Sequence, residues 1–415
     1  MRIGIIGCGR VLPAHLAGIS QVIEAGVCEA TITALCSGHI KNALMFRSPE
    51  DGIEPRKPPV SDPANPMSTP HIYVSELQSE RPEVFDDYRA MLDADLVDAV
   101  LILTQVSQHH GMARDCFSAG VHALVEKPMA ITTHAAQTMI DSAAAHDCVL
   151  AVAEMVRHIE LHRAQHWVVE SGRIGSIQFV VHREMGVPGR PPHFGSGNLW
   201  RHQLNRVGSN TALDLGVHRL HMIEYVAGRI EAVSGMAGTL EEIKTAPDAH
   251  ADYAEVRDES DDFCISQLRL AGGGFGQVLI ARGLHGRPLD QPHVTAYYGS
   301  SGSIVGRNIV DDRGNSADVV DLLWRDADRA VLGGWFPEGI KHEFGLQFAD
   351  FLAAINSGGS VAPECDGRQG LRDLALAYAQ LESSSLKREI TPEEVIDRRA
   401  YAWQGPIDAS LGLDG

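Results

Sequence analysis

The chain reads as two architectures in succession: a doubly wound α/β domain built on a parallel sheet, then an α+β domain with a large, open, mainly antiparallel sheet. Three observations predict this. Residues 1–153 alternate short apolar runs with helical stretches, the pattern of a parallel sheet with crossover helices. Beyond about residue 155 strand-like runs follow one another with turns between them and no alternating helices. Finally, 415 residues exceed what one ordinary core organises, so a boundary near residue 153 divides the chain into 1–153 and 154–415.

Within the first domain, residues 2–6, 31–36, 97–103, 121–125 and 149–153 have the length and apolar content of buried strands. Pro13–Ala25, Asp87–Leu92, His110–Ala119 and Thr133–His146 have helical spacing with start and stop signals. Residues 47–82 interrupt this rhythm, being rich in proline and polar residues and without period. They read as a surface insertion after the second strand, partly mobile. In the second domain the strand candidates are 176–185, 230–239, 262–270, 275–282 and 293–299. Helices are expected at Asn210–Ala227, Glu343–Ile355 and Gly370–Leu386, and a second, acidic insertion at Glu241–Asp262.

Composition narrows the function. A formal charge of −19 repels phosphate backbones, and no run of Lys and Arg offsets it, so nucleic-acid binding is excluded. No apolar stretch approaches the roughly 20 residues that span a bilayer; the longest, Val97 to Val106, is interrupted by Asp98 and fits a strand. Met1 runs straight into the first strand, which leaves no room for a signal peptide. Seven scattered cysteines without a Cys-x-x-Cys pair point to a reducing, cytoplasmic setting.

Two segments carry the chemistry. Ile3-Gly4-Ile5-Ile6-Gly7-Cys8-Gly9-Arg10 is a strand running into a glycine turn, the way a dinucleotide is seated. Gly7 permits the tight turn and Gly9 lets a pyrophosphate approach the backbone; Leu12 holds the third glycine position and is expected to push the next helix slightly outward. Val121-His122-Ala123-Leu124-Val125 ends at Glu126-Lys127-Pro128, placing an ammonium at the carboxyl end of the sheet. There it can polarise a hydroxyl or carbonyl beside a nicotinamide ring. After the second strand an NAD-selective site ordinarily has a carboxylate for the ribose hydroxyls, but Ser37 stands there. With no acid to repel a 2′-phosphate, and His39 and Lys41 near, the balance favours NADP over NAD. Asp214 and His218 are four residues apart on a predicted helix, so a carboxylate can there orient an imidazole that handles a proton.

The ordered succession of these segments resembles the Gfo/Idh/MocA oxidoreductases, which include inositol dehydrogenases and glucose–fructose oxidoreductase. The resemblance covers nearly the whole chain outside the insertions. It runs through Gly7-Cys8-Gly9-Arg10 with His15, Val84-Phe85-Asp86-Asp87-Tyr88, Asp98-Ala99-Val100, Thr104 and His109, and Glu126-Lys127-Pro128. It continues through Gly172-Arg173-Ile174-Gly175, Trp200-Arg201, the Asp214/His218 pair and Gly299-Ser300-Ser301-Gly302-Ser303-Ile304. It implies a Rossmann domain holding NAD or NADP through Gly7, Gly9, Arg10, Val11, Ser37, Thr104, His109, Glu126 and Lys127. It further implies that Lys127 and His218 flank the reacting substrate carbon, with Asp214 positioning His218 and Pro128 holding Lys127 in place. Either Lys127 or His218 makes the proton transfer. Arg157, Trp200, Arg201 and His221 are the candidate substrate contacts, with Arg157 reading equally as a domain-interface residue. The substrate class is a sugar, cyclitol or glycoside, and no metal is required. Assembly as a homodimer or homotetramer through the open sheet face follows from the same resemblance.

Departures fall near the substrate: Gln105 follows Thr104 where Pro is frequent, Gly208-Ser209-Asn210 replaces a glycine-rich turn, and His221 holds a frequent aspartate position. His158, His162 and His166 repeat every four residues but lack the His-Glu-x-x-His pattern, and read as a helix face rather than a metal site. Gly186–Asn198 reads either as a loop over the pocket or as a plain connector. Two rival functions remain beside the dehydrogenase: a lyase or glycosidase that uses bound NAD(P) transiently, and a non-catalytic cofactor-binding sensor.

Overall fold

Ile3, Ile5 and Ile6 are essentially without solvent contact, and the strand they form organises the first sheet. The computed structural model describes residues 1–63, 65–186, 200–246, 254–282, 284 and 289–413. Six parallel strands, β1 (Arg2–Ile6), β2 (Thr31–Cys36), β3 (Glu83–Phe85), β4 (Ala99–Ile102), β5 (His122–Glu126) and β6 (Leu150–Ala153), lie in the order β3-β2-β1-β4-β5-β6. Strand order reverses direction between β1 and β4, where open α/β sheets hold ligands beyond their carboxyl ends. Helices α1 (Leu12–Glu24), α2 (Ile40–Arg47), α3 (Tyr88–Asp93), α4 (Val106–Ser118) and α5 (Thr133–Ala145) complete the alternation. β3 was not expected, because three half-exposed residues carry no periodic signal. α4 begins at Val106 rather than at His110.

The chain forms two compact units. The first comprises Met1–Ala130, Ala136–Ile159 and Asp328–Gly370; the second comprises Ile131–Ala135, Glu160–Ala327 and Leu371–Gly415. Asp328–Gly370 lies in the first unit for a steric reason that sequence periodicity does not reveal. In α1, Gly18 meets Gly345 of the helix Glu343–Asn356 so closely that a Cβ on Gly18 would lie 2.3 Å from the Gly345 nitrogen. The Val152 N–H then donates to the Cys365 carbonyl at 2.8 Å, adding backbone pairing beside β6.

The insertion after β2 contains three short 3-10 turns, Pro49–Asp51, Pro66–Ser68 and Val74–Glu76. Asp51 accepts from both Arg47 and Arg81, and His71 lies between the rings of Phe46 and Tyr73 at centroid distances of 4.5 and 4.6 Å. Because β3 pairs with β2 only from residue 34 onward, the Gln78 side-chain amide takes the missing neighbour's place. It accepts from the Ile32 N–H at 2.8 Å and donates to the Ile32 carbonyl at 2.9 Å.

In the second unit, β7 (Ile177–Met185), β8 (Ile230–Gly238), β11 (Phe263–Leu270), β12 (Phe275–Ala281), β13 (His293–Gly299), β14 (Gly302–Val305), β15 (Asn308–Asp311) and β16 (Ser316–Asp318) form one sheet. Its order is β16-β15-β14-β13-β7-β12-β11-β8, antiparallel throughout except for β7 beside β12. Within the acidic insertion, β9 (Ile243–Ala246) and β10 (Ala254–Arg257) pair antiparallel as a separate two-stranded sheet. β14, β15 and β16 were not expected as strands; they are short, polar and turn-rich. Alternation in β11 and β12 buries Cys264, Ser266, Leu268, Val278 and Ile280 on one face and exposes Gln267, Arg269, Phe275 and Gln277 on the other. No described helix is long and apolar enough to cross a membrane.

Candidate functional site

Three of the expected contact regions come together at the carboxyl ends of β1, β4 and β5. Gly7 has φ +104°, and a Cβ there would sit 2.7 Å from the Leu103 carbonyl beyond β4, so only glycine fits. A Cβ on Gly9, by contrast, would meet nothing within 4 Å. One glycine is required by the fold and the other leaves room, which is the cradle a pyrophosphate needs. Arg10 is exposed, Val11 is the residue from which α1 begins, and Leu12 at the third glycine position is fully buried.

At the end of β4, buried His109 joins two turns. Its Nε2 faces the Thr104 carbonyl at 3.2 Å, while Nδ1 faces the Pro128 and Met129 carbonyls at 3.1 and 3.3 Å. Burial lowers its pKa against the pull of these carbonyls, so the ring is neutral and has one N–H to donate to one side at a time. At the end of β5, Glu126 turns its carboxylate back onto the protein. Oε1 meets Nε2 of buried His15 at 2.9 Å, and Oε2 accepts the Lys127 N–H at 3.0 Å. His15 packs edge-on against Phe344, centroids 4.8 Å apart. The Lys127–Pro128 peptide is cis, and Lys127 itself is half-buried. Arg157 pairs with Glu364 at 3.3 Å. Past β2, Ser37 donates its N–H to the Phe85 carbonyl, and His39 and Lys41 are exposed. Burial, with the charges of Asp87 and Asp86 after β3, pushes the Cys36 thiol up to about 12.

The second unit supplies the other expected residues. Thr211 begins a stretch that is π-helical over Ala212–Gly216, with Gly216 N–H on the Thr211 carbonyl at 2.9 Å, before α-helix continues over Val217–Ala227. The sequence predicted one uninterrupted α-helix here. Single π turns within helices recur at functional positions. Asp261, wholly buried and with its pKa raised by that burial, fastens the start of this stretch: it accepts from Ser209 Oγ and from the N–H groups of Asn210, Thr211 and Ala212 at 2.5 to 3.2 Å. Asp214 and His218 are both half-buried on it. Arg282 Nη2 donates to Asp214 Oδ2 at 2.7 Å while its Nη1 reaches Asn210 Oδ1 at 3.0 Å. Arg201, stacked over Trp200 at 4.7 Å, approaches the same Asp214 oxygen at 3.5 Å. His221 is buried with Nδ1 on Asp373 Oδ2 at 2.9 Å, a pairing that points it into the protein. His166 stacks on Tyr225 and faces its carbonyl. Residues 187–199, which include most of the expected loop, lie outside the described residues.

Sequence reasoning missed Arg282, Asp261 and the bridging part of His109. Arg282 lies 68 residues beyond Asp214 at the end of β12, and no spacing rule connects the two.

A Rossmann sheet with a glycine turn, an uncrowded pyrophosphate cradle and a lysine at the β5 rim defines a nicotinamide-dinucleotide-binding oxidoreductase. The comparisons agree. Residues 1–154 match the model described as the oxidoreductase family with an NAD-binding Rossmann fold, and residues 162–305 match the GFO/IDH/MocA C-terminal domain. The chain therefore belongs to the GFO/IDH/MocA family of oxidoreductases. It is 27% identical to a levoglucosan dehydrogenase of Pseudarthrobacter phenanthrenivorans over 307 residues, 68% of this chain and 77% of that one. It is 24% identical to a myo-inositol 2-dehydrogenase of Thermotoga maritima over 402 residues, 95% of this chain and 100% of that one. Among solved structures, levoglucosan dehydrogenase in complex with NADH and levoglucosan has the same fold, with a TM-score of 0.70 at 21% identity over 94% of this chain and 98% of that one.

Proposed function

We propose that the protein transfers a hydride between nicotinamide and a ring carbon of a sugar, cyclitol or glycoside. The observation that carries this reading is the β5 rim. There an ammonium-bearing residue is seated by its own neighbour's carboxylate, on a sheet whose glycine turn leaves space for a dinucleotide. The activities of the relatives, on levoglucosan and on myo-inositol, support the substrate class. The bound nicotinamide supplies the hydride acceptor or donor. Lys127 stabilises the developing alkoxide electrostatically, and His218 accepts the hydroxyl proton in oxidation and returns it in reduction. Asp214 orients His218, and Arg201 and Trp200 contact the polyol. NADP(H) is the preferred cofactor, because β2 ends at Ser37 with His39 and Lys41 close by.

The test is a panel of sugars and cyclitols assayed with NAD and NADP, followed by nicotinamide absorbance. Lys127→Ala and His218→Ala are each expected to lower turnover by about 10²-fold or more. Near-normal turnover in either variant would remove that residue from the reaction. Turnover without net absorbance change would instead identify a lyase or glycosidase that restores its cofactor, and cofactor binding without any turnover a sensor.

We also infer a cytoplasmic homodimer or homotetramer. Phe275, Phe179 and Tyr298 stand in register on β12, β7 and β13 and are 55, 41 and 44% exposed. Val310, 38% exposed on β15, continues the apolar row beyond Ser303. An apolar row on an open sheet face suits a second copy of the chain. Light scattering reads it: a monomer at micromolar concentration would end the assignment.

A further inference from the structure

The segment inserted after β2 places an arginine near the end of that strand. Arg56 is half-buried, and its Nη2 donates to Asn42 Oδ1 at 3.2 Å. Asn42 belongs to the first turn of α2, which begins shortly after Ser37, so the contact holds the guanidinium beside the β2 terminus. The same guanidinium is near enough to Cys8, the middle residue of the glycine turn, to oppose the rise that burial imposes on its thiol. Arg56 therefore stands between the glycine turn and the start of α2. In a dinucleotide-binding sheet this is the place of the adenine ribose, where a carboxylate selects its hydroxyls or an arginine accommodates a 2′-phosphate.

The rest of the insertion has the anchorage such a role requires. Asp51 ties Arg47 to Arg81, the His71 ring packs between Phe46 and Tyr73 with Nε2 on the Met45 carbonyl, and Gln78 is sewn to β2. An arginine held at one corner of its planar fork still matches phosphate oxygens along another edge. Lys41 and His39 are exposed nearby, and neither has that fork.

We propose that Arg56 receives the 2′-phosphate of NADP(H), which makes the 47–82 insertion the cofactor-selectivity element of this protein. The proposal rests on the preceding reading that NADP(H) is preferred.

Isothermal titration of the full chain tests it without any turnover. The probes are NADP⁺, NAD⁺, adenosine 2′,5′-bisphosphate and 5′-AMP. Arg56→Gln is expected to weaken NADP⁺ and the bisphosphate by about 10- to 100-fold while leaving NAD⁺ and 5′-AMP within about twofold, the range for losing charge-assisted hydrogen bonds. Arg56→Lys should fall between, since charge remains and the fork is lost. A thermal melt of each variant confirms an unchanged fold. If the native protein prefers NADP⁺ and Arg56→Gln and Arg56→Lys both keep that preference, Arg56 is not the selector and only this proposal falls. If the native protein binds NAD⁺ more tightly, the NADP reading falls with it.

Discussion

The turn bearing Lys127 and the turn bearing Asp214 are held in opposite ways. Around Lys127 the ties are local or reach the neighbouring strand's turn: Glu126 grips the next residue's N–H, and His109 spans from the β4 turn to Pro128 and Met129. Around Asp214 the ties come from far along the chain. Asp261 fastens four donors at the start of the π turn, and Arg282 holds the carboxylate itself. The first arrangement is a short motif any reader can find. The second exists only once β11 and β12 pair, so no local pattern announces the role of its residues.

The comparison makes a ranked set of expectations. Asp261→Ala should be the most damaging to stability, by about 3 kcal/mol or more, because it leaves several buried donors without an acceptor. Glu126→Ala removes fewer bonds at a site whose side chain is 13% exposed and should cost about 1–2 kcal/mol. Urea unfolding of both variants decides the order; equal losses would mean that the second turn is no more dependent on its distant anchor than the first. Next in size, Arg282→Gln should lower kcat/KM by about tenfold and exceed Arg201→Gln, since a close charge-assisted bond is the stronger of two. Their contacts with Asp214 measure 2.7 and 3.5 Å. A larger loss for Arg201→Gln would mean that its contact with the polyol outweighs the hold of Arg282 on Asp214.

The smallest effect concerns pH. Burial pushes the Glu184 carboxyl up, but His182 and Arg219 hold it down and prevail, so its pKa lies below the ordinary 4.5. A depressed carboxylate contributes stability above its unfolded pKa and loses it as pH falls through the folded value. Native protein and Glu184→Gln should therefore differ in unfolding free energy near neutrality and converge as pH drops below about 4.5. Parallel curves across that range would remove Glu184 from the account.

Legibility in the sequence followed the range of the interactions. The strands of the first sheet were readable because parallel strands buried on both faces are continuous apolar runs, except β3, whose three residues gain their conformation from β2 alone. Gly7, Glu126 and Lys127 stood out because each follows directly on an apolar strand run, although Gly7 also answers to the Leu103 carbonyl and Glu126 to His15, 111 residues away. The pairing of His221 with Asp373 left no trace in the sequence, because its partner lies 152 residues on. The π turn was invisible because the residues Ala212–Gly216 have ordinary helical preferences, and it is Asp261, not their own propensity, that fastens its first N–H groups.

By itself the sequence determined the class of fold, the dinucleotide cradle and the family, since periodic burial and a glycine forced into positive φ are properties of a few adjacent residues. Tertiary structure decided that Asp328–Gly370 packs with the first sheet, that Arg282 guards Asp214, and that Arg56 returns to the end of β2. Those outcomes depend on close approach between segments distant in the chain, and the free energy of such contacts leaves no local pattern in the residues that make them.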